Sequence, residues 1–309
     1  MSHNTAVQLR NVTKRIGGKT IVDGLSFDVP RGEVFGFLGP NGAGKTTTIR
    51  MMVGLISMSE GEVLVDGISV NKHFEQAMLH VGAIVENPEL YKFLTGYQNL
   101  IHFARMIPGI PRERIDEVVR LVKLENRIHD KVRTYSLGMR QRLGVAQAIL
   151  HKPDVLILDE PTNGLDPEGI RELRDYLRRL SKEEGTAIIV SSHLLSEMEL
   201  MCDRVAVIQN GKLVDVRPVR DMVAPSEGKV EVSFVVEPAE RAAKIIADTM
   251  PEAAVNAQAT GCTAFISYEA IPELVRELVR ADVRVYEVKA ASKTLEDQFL
   301  ELTRGGQIV

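Results

Sequence analysis

Residues 39–46 have the types and spacing that could do chemistry. Gly39-Pro40-Asn41-Gly42-Ala43-Gly44-Lys45-Thr46 satisfies G-x-x-x-x-G-K-[ST], and Thr47 follows directly. Glycines at this spacing let several backbone N–H groups turn inward around phosphate oxygens with no Cβ in the way. Lys45 is expected to reach the β- and γ-phosphates, and the Thr46 hydroxyl to ligate Mg²⁺. A helix opening here would aim the positive end of its dipole at the anion. Such a loop by itself leaves GTPases, nucleotide kinases, recombinases and transport ATPases open. A guanine-reading Asn-Lys-x-Asp is absent, because Asn71-Lys72-His73-Phe74 lacks the aspartate.

The flanking elements suit that loop. Residues 33–38 form a short apolar run, predicting a buried strand, and 46–56 have helical spacing. Alternation over 7–12 and the segment 61–65 predict two further strands. Three helix-like stretches, 95–107, 111–124 and 137–150, predict a helical insertion over about 88–150, punctuated by Pro108, Gly109 and Pro111. Then strands at 155–158 and 186–190 alternate with helices at about 167–181 and 194–201. That alternation predicts a mostly parallel sheet covered on both faces. After Arg217-Pro218 the pattern becomes β-α-β-β-α-β, the order of a ferredoxin-like split βαβ domain, closed by a helix at about 293–303. The predicted domains are 1–218 and 219–309.

Composition narrows the class. The chain has 309 residues, 44% hydrophobic and 26% charged, which excludes a disordered or collagen-like chain. Two cysteines cannot frame a disulfide scaffold, so a cytosolic setting is expected. No run approaches the ~18 apolar residues of a membrane helix, and the N-terminus has no apolar signal core. Net charge is −4, and residues 219–309 alone carry −5. That balance argues against a nucleic-acid partner.

Four further segments lie downstream of the phosphate loop: YSLGMRQR at 135–142, VLILDE at 155–160, NGLDP at 163–167, and SSHLLSE containing His193. In this order they resemble the ATP-binding-cassette family over about residues 7–217. ENPELYKFLT at 86–95, YSLGMRQRL at 135–143 and TLEDQFLELT at 294–303 are similar to ATPase subunits of bacitracin-resistance and lantibiotic-immunity exporters. The resemblance implies an α/β nucleotide-binding cassette with a helical subdomain, using ATP and Mg²⁺. Asp159 would hold the metal, Glu160 would be the general base, and His193 would align the attacking water. Ser136 and Gly138 would face the γ-phosphate held by a second copy of the chain, with Asp166 across the same interface. The implied partners are that second copy, in a head-to-tail dimer, and a separate multi-span membrane permease. The chain would then sit in the cytoplasm, peripheral on the inner face of the membrane, and power export of a peptide antibiotic or other toxic compound.

Three positions depart from the family pattern. Glu86 stands where most cassettes carry Gln; a carboxylate is a stronger Mg²⁺ ligand than an amide, which makes it a metal-proximal candidate. Ile16 stands where an aromatic usually stacks on adenine. Leu137 and Met139 replace the commonest signature Gly and Gln. Two other readings compete: a soluble cassette ATPase working on DNA or ribosomes, and a nucleotide-gated switch without a membrane partner. The 90 residues from Thr46 to Ser136 are too few for a long coiled-coil insertion, and only one cassette is present.

Overall fold

The computed structural model describes residues 4–223, 229–291 and 294–304. The chain divides into two compact units, Met1–Val219 with Leu302–Val309, and Arg220–Glu301.

The first unit opens with two long antiparallel strands, β1 (Thr5–Ile16) and β2 (Lys19–Pro30), joined by a Gly17-Gly18 turn. Strand β3 (Val34–Leu38) is buried throughout and runs into the phosphate loop and helix α1 (Lys45–Met52). Strands β4 (Glu60–Val65) and β5 (Ile68–Ser69) join β1 and β2 in an antiparallel sheet of order β2-β1-β4-β5. This separate sheet was not anticipated from the sequence, where β2 went unseen.

Helix α2 (Phe74–Met78) leads to β6 (Val81–Ile84). Next come the helices of the insertion: α3 (Gly96–Ala104), α4 (Arg112–Leu121) and α5 (Leu137–Ala148). A reciprocal capping box between Thr95 and Gln98 starts α3. The buried Arg114 of α4 donates to the carbonyls of Ile149 and Leu150, at 2.7 and 3.2 Å, just beyond the end of α5. A cation thus satisfies carbonyls that the helix itself leaves open.

Strand β7 (Val155–Asp159), helix α6 (Pro167–Glu184), strand β8 (Ala187–Ser192) and helix α7 (Leu195–Met201) follow, then the hairpin β9 (Arg204–Gln209) and β10 (Lys212–Pro218). These strands form a six-stranded sheet of order β10-β9-β3-β8-β7-β6, parallel except for the edge strand β10. The core between the two sheets and α1 includes Phe27 stacked on Phe35 at 5.6 Å, with Met51 and Met52 fully buried.

The second unit follows α8 (Val219–Val223) with β11 (Lys229–Glu237), α9 (Ala239–Thr249), β12 (Val255–Gln258), β13 (Gly261–Ser267), α10 (Ile271–Arg280), β14 (Arg284–Ala290) and α11 (Leu295–Arg304), which runs past the unit's end at Glu301. Its sheet is antiparallel, of order β12-β13-β11-β14, the connectivity of interleaved split βαβ units. Strict alternation in β11 drives its fold: Val230, Val232, Phe234 and Val236 are buried, while Lys229, Glu231 and Glu237 are exposed. No helix among the described residues is long and apolar enough to cross a membrane.

Candidate nucleotide site

Parallel register brings the predicted chemistry to one edge. Leu38 of β3 pairs with Ser192 of β8, and Ser191 of β8 pairs with Asp159 of β7. Gly39, Glu160 and His193 therefore leave the sheet level with one another at its C-terminal edge, where open α/β sheets present their ligand sites. Glu86, two residues past β6, leaves by the same edge.

The phosphate loop is shaped for an anion. A Cβ on Gly39 would lie 2.5 Å from the carbonyl oxygen of Ile208, so the loop's approach to β9 requires glycine there. Gly44 is the N-cap of α1 with φ 103, a conformation that L side chains rarely adopt. The Gly44 N-cap supplies no side-chain hydrogen bond to the first turn of α1, whose opening N–H groups helix geometry leaves without intrahelical partners. The β9–β10 turn braces the loop from outside: the N–H of Gly211 donates to the Ala43 carbonyl at 3.0 Å, and the Asp23 N–H donates to the Gly211 carbonyl at 2.9 Å. Pro40, Asn41 and Gly42 lie between these anchors; Asn41 and Gly42 are exposed.

The Lys45 ammonium is buried and donates to the Gly39 carbonyl at 2.6 Å. Burial lowers its pKa from the ordinary lysine range, against the opposing pull of Glu160 and Asp159. Thr46 and Thr47 are half-buried at the start of α1. Asp159 is buried, and its carboxylate accepts a hydrogen bond from the Ser191 hydroxyl. The same Ser191 oxygen accepts from the Glu160 N–H at 3.0 Å. Glu160 Oε2 lies 2.8 Å from His193 Nδ1. An inward cation, uncapped N–H groups, a hydroxyl and hard carboxylate oxygens form a donor set that fits a magnesium-bound polyphosphate.

Both glutamates singled out from the sequence have left-handed backbone, with φ 51 at Glu160 and φ 67 at Glu86. For a residue carrying a Cβ this costs about 1–2 kcal/mol and is found where surrounding structure enforces it. Glu86 is ion-paired with Arg50 of α1. Ile16 sits at the end of β1 and is exposed.

The signature residues lie elsewhere in the unit. Ser136 caps α5, accepting from the Met139 N–H at 3.2 Å, and Asp166 caps α6, accepting from the Gly169 N–H at 3.0 Å. Ser136, Gly138, Gly164 and Asp166 line a cleft of about 500 Å³ to which no phosphate-loop residue contributes. Leu137 occupies the space over Gly164, where a Cβ would meet it at 2.0 Å. The larger residue at 137 is thus matched by a missing side chain at 164.

The sequence reading missed three residues here: Arg50, Ser191 and Gly211. Helical spacing places Arg50 one turn beyond Thr46, and the SSH run contains Ser191. Gly211 belongs to an Asn-Gly turn, a recognisable hairpin signal.

Comparison with known proteins completes the assignment. The ABC transporter family profile matches residues 22–163. An uncharacterised ABC transporter ATP-binding protein, YhcH of Bacillus subtilis, is 57% identical over 97% of this chain and 96% of its own. The bacitracin transport ATP-binding protein BcrA of Bacillus licheniformis is 37% identical over 99% of both. A solved dimeric ATP-binding cassette in a post-hydrolysis state with ADP and Pi shares the fold, with TM-score 0.63 and 24% identity over 69% of this chain and 99% of its own. Near full-length identity of this order, with phosphate loop, strand-end acids and histidine at one sheet edge, makes the chain a member of the ABC transporter family, among its ATP-binding proteins.

Proposed function

We propose that this chain hydrolyses ATP with Mg²⁺ and uses the energy to drive a separate membrane permease, exporting a peptide antibiotic or a similarly amphipathic toxin. The observation that carries the reading is the 2.8 Å Glu160–His193 contact at the sheet edge that also bears the buried Lys45 and Asp159. Residues 39–47 hold the phosphates through backbone N–H groups, and Lys45 exchanges its carbonyl partners for phosphate oxygens. Ile16 offers the base apolar contact. Thr46 and Asp159 would hold Mg²⁺, with Glu86 near it; the metal supplies charge neutralisation on the phosphates. Glu160 takes the proton of the attacking water, and His193 fixes the carboxylate's direction through Nδ1.

Ser136, Gly138 and Asp166 line a cleft remote in sequence from residues 39–47, which suits a head-to-tail dimer in which each chain completes the other's site. A solved cassette of the same fold is dimeric, which supports a dimer. The substrate class follows the relative named for bacitracin transport. A membrane partner needs a docking surface, and Tyr91 and Phe93, both exposed and edge-to-face at 5.9 Å, provide one just after Glu86. Residues 1–218 form the ATP-binding domain in this reading, and 219–309 an accessory domain that braces the dimer. The protein works at the cytoplasmic face of the membrane.

The test is a Glu160→Gln variant. ATP turnover should fall about 10²–10⁴-fold with nucleotide binding retained. Used as bait with ATP and Mg²⁺ in detergent-solubilised membranes, the variant should retain a multi-span protein. Turnover unchanged by Glu160→Gln overturns the hydrolytic assignment; recovery of soluble partners alone overturns the transport assignment.

A further inference from the structure

Arg50 has no place in the hydrolytic scheme above, yet it holds one of that scheme's candidates. Its guanidinium is paired with the Glu86 carboxylate, 36 residues away in sequence. Arg50 and Thr46 are four residues apart on α1, so their side chains neighbour each other on one face, with Cβ atoms ~5–6 Å apart. The Glu86 carboxylate is thereby tied to the same helix that carries the hydroxyl that would ligate Mg²⁺. Glu86 also has strained left-handed backbone, as residues at switch positions often do. An amide at position 86 could accept a hydrogen bond from Arg50 but could not form the ion pair.

We propose that Arg50 is a positioning residue that holds Glu86 off the metal site until Mg²⁺ and ATP are bound, so that guanidinium and metal compete for one carboxylate. The inference rests on the ATPase reading. Both partners are substantially exposed, 40% for Arg50 and 61% for Glu86, so the pair is a weak one. Weakness suits a competitor that a divalent cation must displace in every cycle. A buried pair would block the site instead of biasing it.

The experiment measures ATP binding, not turnover, in the Glu160→Gln background. Mg²⁺ is titrated at fixed ATP, and the midpoint is read from a fluorescent ATP analogue or from the ATP-induced thermal shift. Arg50→Gln should lower the Mg²⁺ midpoint about three- to fivefold, the scale of an exposed ion pair. Arg50→Lys, which keeps the charge, should restore the midpoint to near that of the Glu160→Gln protein. With Glu86→Gln added, Arg50→Gln should have no effect on the midpoint. A midpoint indifferent to Arg50, or one that shifts equally with Glu86→Gln present, overturns this proposal alone. Absence of any Mg²⁺-dependent ATP binding by the unsubstituted chain overturns the ATPase reading and this proposal together.

Discussion

A single hydroxyl joins Asp159, which ends β7, to Glu160 just beyond it. Ser191 is fully buried; it donates to the Asp159 carboxylate and accepts from the Glu160 N–H. Ser191→Ala would leave a buried carboxylate short of a donor, at a cost of about 1–3 kcal/mol. The expected outcome is a lower denaturation midpoint together with a roughly tenfold loss of ATP turnover, measured on the same preparation. Loss of stability with turnover intact would make Ser191 a packing residue only. The phosphate loop was legible in the sequence because short-range spacing defines it, whereas Asp159, Glu160 and His193 were named through the family resemblance, and the folded sheet brings them to the same edge as the loop. Ser191 and Arg50 were not legible, because their importance comes from partners 32 and 36 residues away that only the folded sheet brings near. The left-handed backbone at Glu86 and Glu160 was equally hidden, since glutamate carries no local signal for it.

Helices were easier to read than strands. The three insertion helices fall within the predicted stretches. Strand β2 was missed although Leu25, Phe27 and Val29 alternate as buried positions; register shifts over Thr20–Leu25 break the period-two pattern in its first half. The β9–β10 hairpin was missed too, although it braces the phosphate loop through Gly211. One contact between elements predicts a pH effect. His151, just beyond α5, places Nε2 3.1 Å from the Val81 carbonyl of β6, while its buried Nδ1 has no hydrogen-bond partner among the described residues. Burial lowers its pKa below the ordinary 6.5. The unfolded chain therefore binds more protons at this residue than the folded one between the lowered pKa and 6.5, so stability falls as pH drops through that window. His151→Gln should flatten the loss. Urea denaturation at pH 7.5 and 5.5 checks it; an equal pH drop in the variant would assign the loss to other groups.

At the scale of the whole molecule, each unit has its own hydrophobic core of described residues. Two cores predict two unfolding transitions, with ATP raising only the one that belongs to the nucleotide site. Leu278 is fully buried in the second core. Leu278→Ala should lower that unit's transition by about 2–5 kcal/mol and leave ATP affinity within twofold, as read by calorimetry with and without nucleotide. A single merged transition that ATP shifts as a whole would show that the units unfold together. The two left-handed glutamates carry a consequence for selection on the full chain. Glycine, or the more tolerant asparagine, would relax the backbone at 86 and 160, and either would remove a carboxylate. Directed evolution for heat resistance alone would accumulate such changes, and in the proposed scheme selection for ATP-driven work would purge them. At these two codons durability and output would then pull in opposite directions.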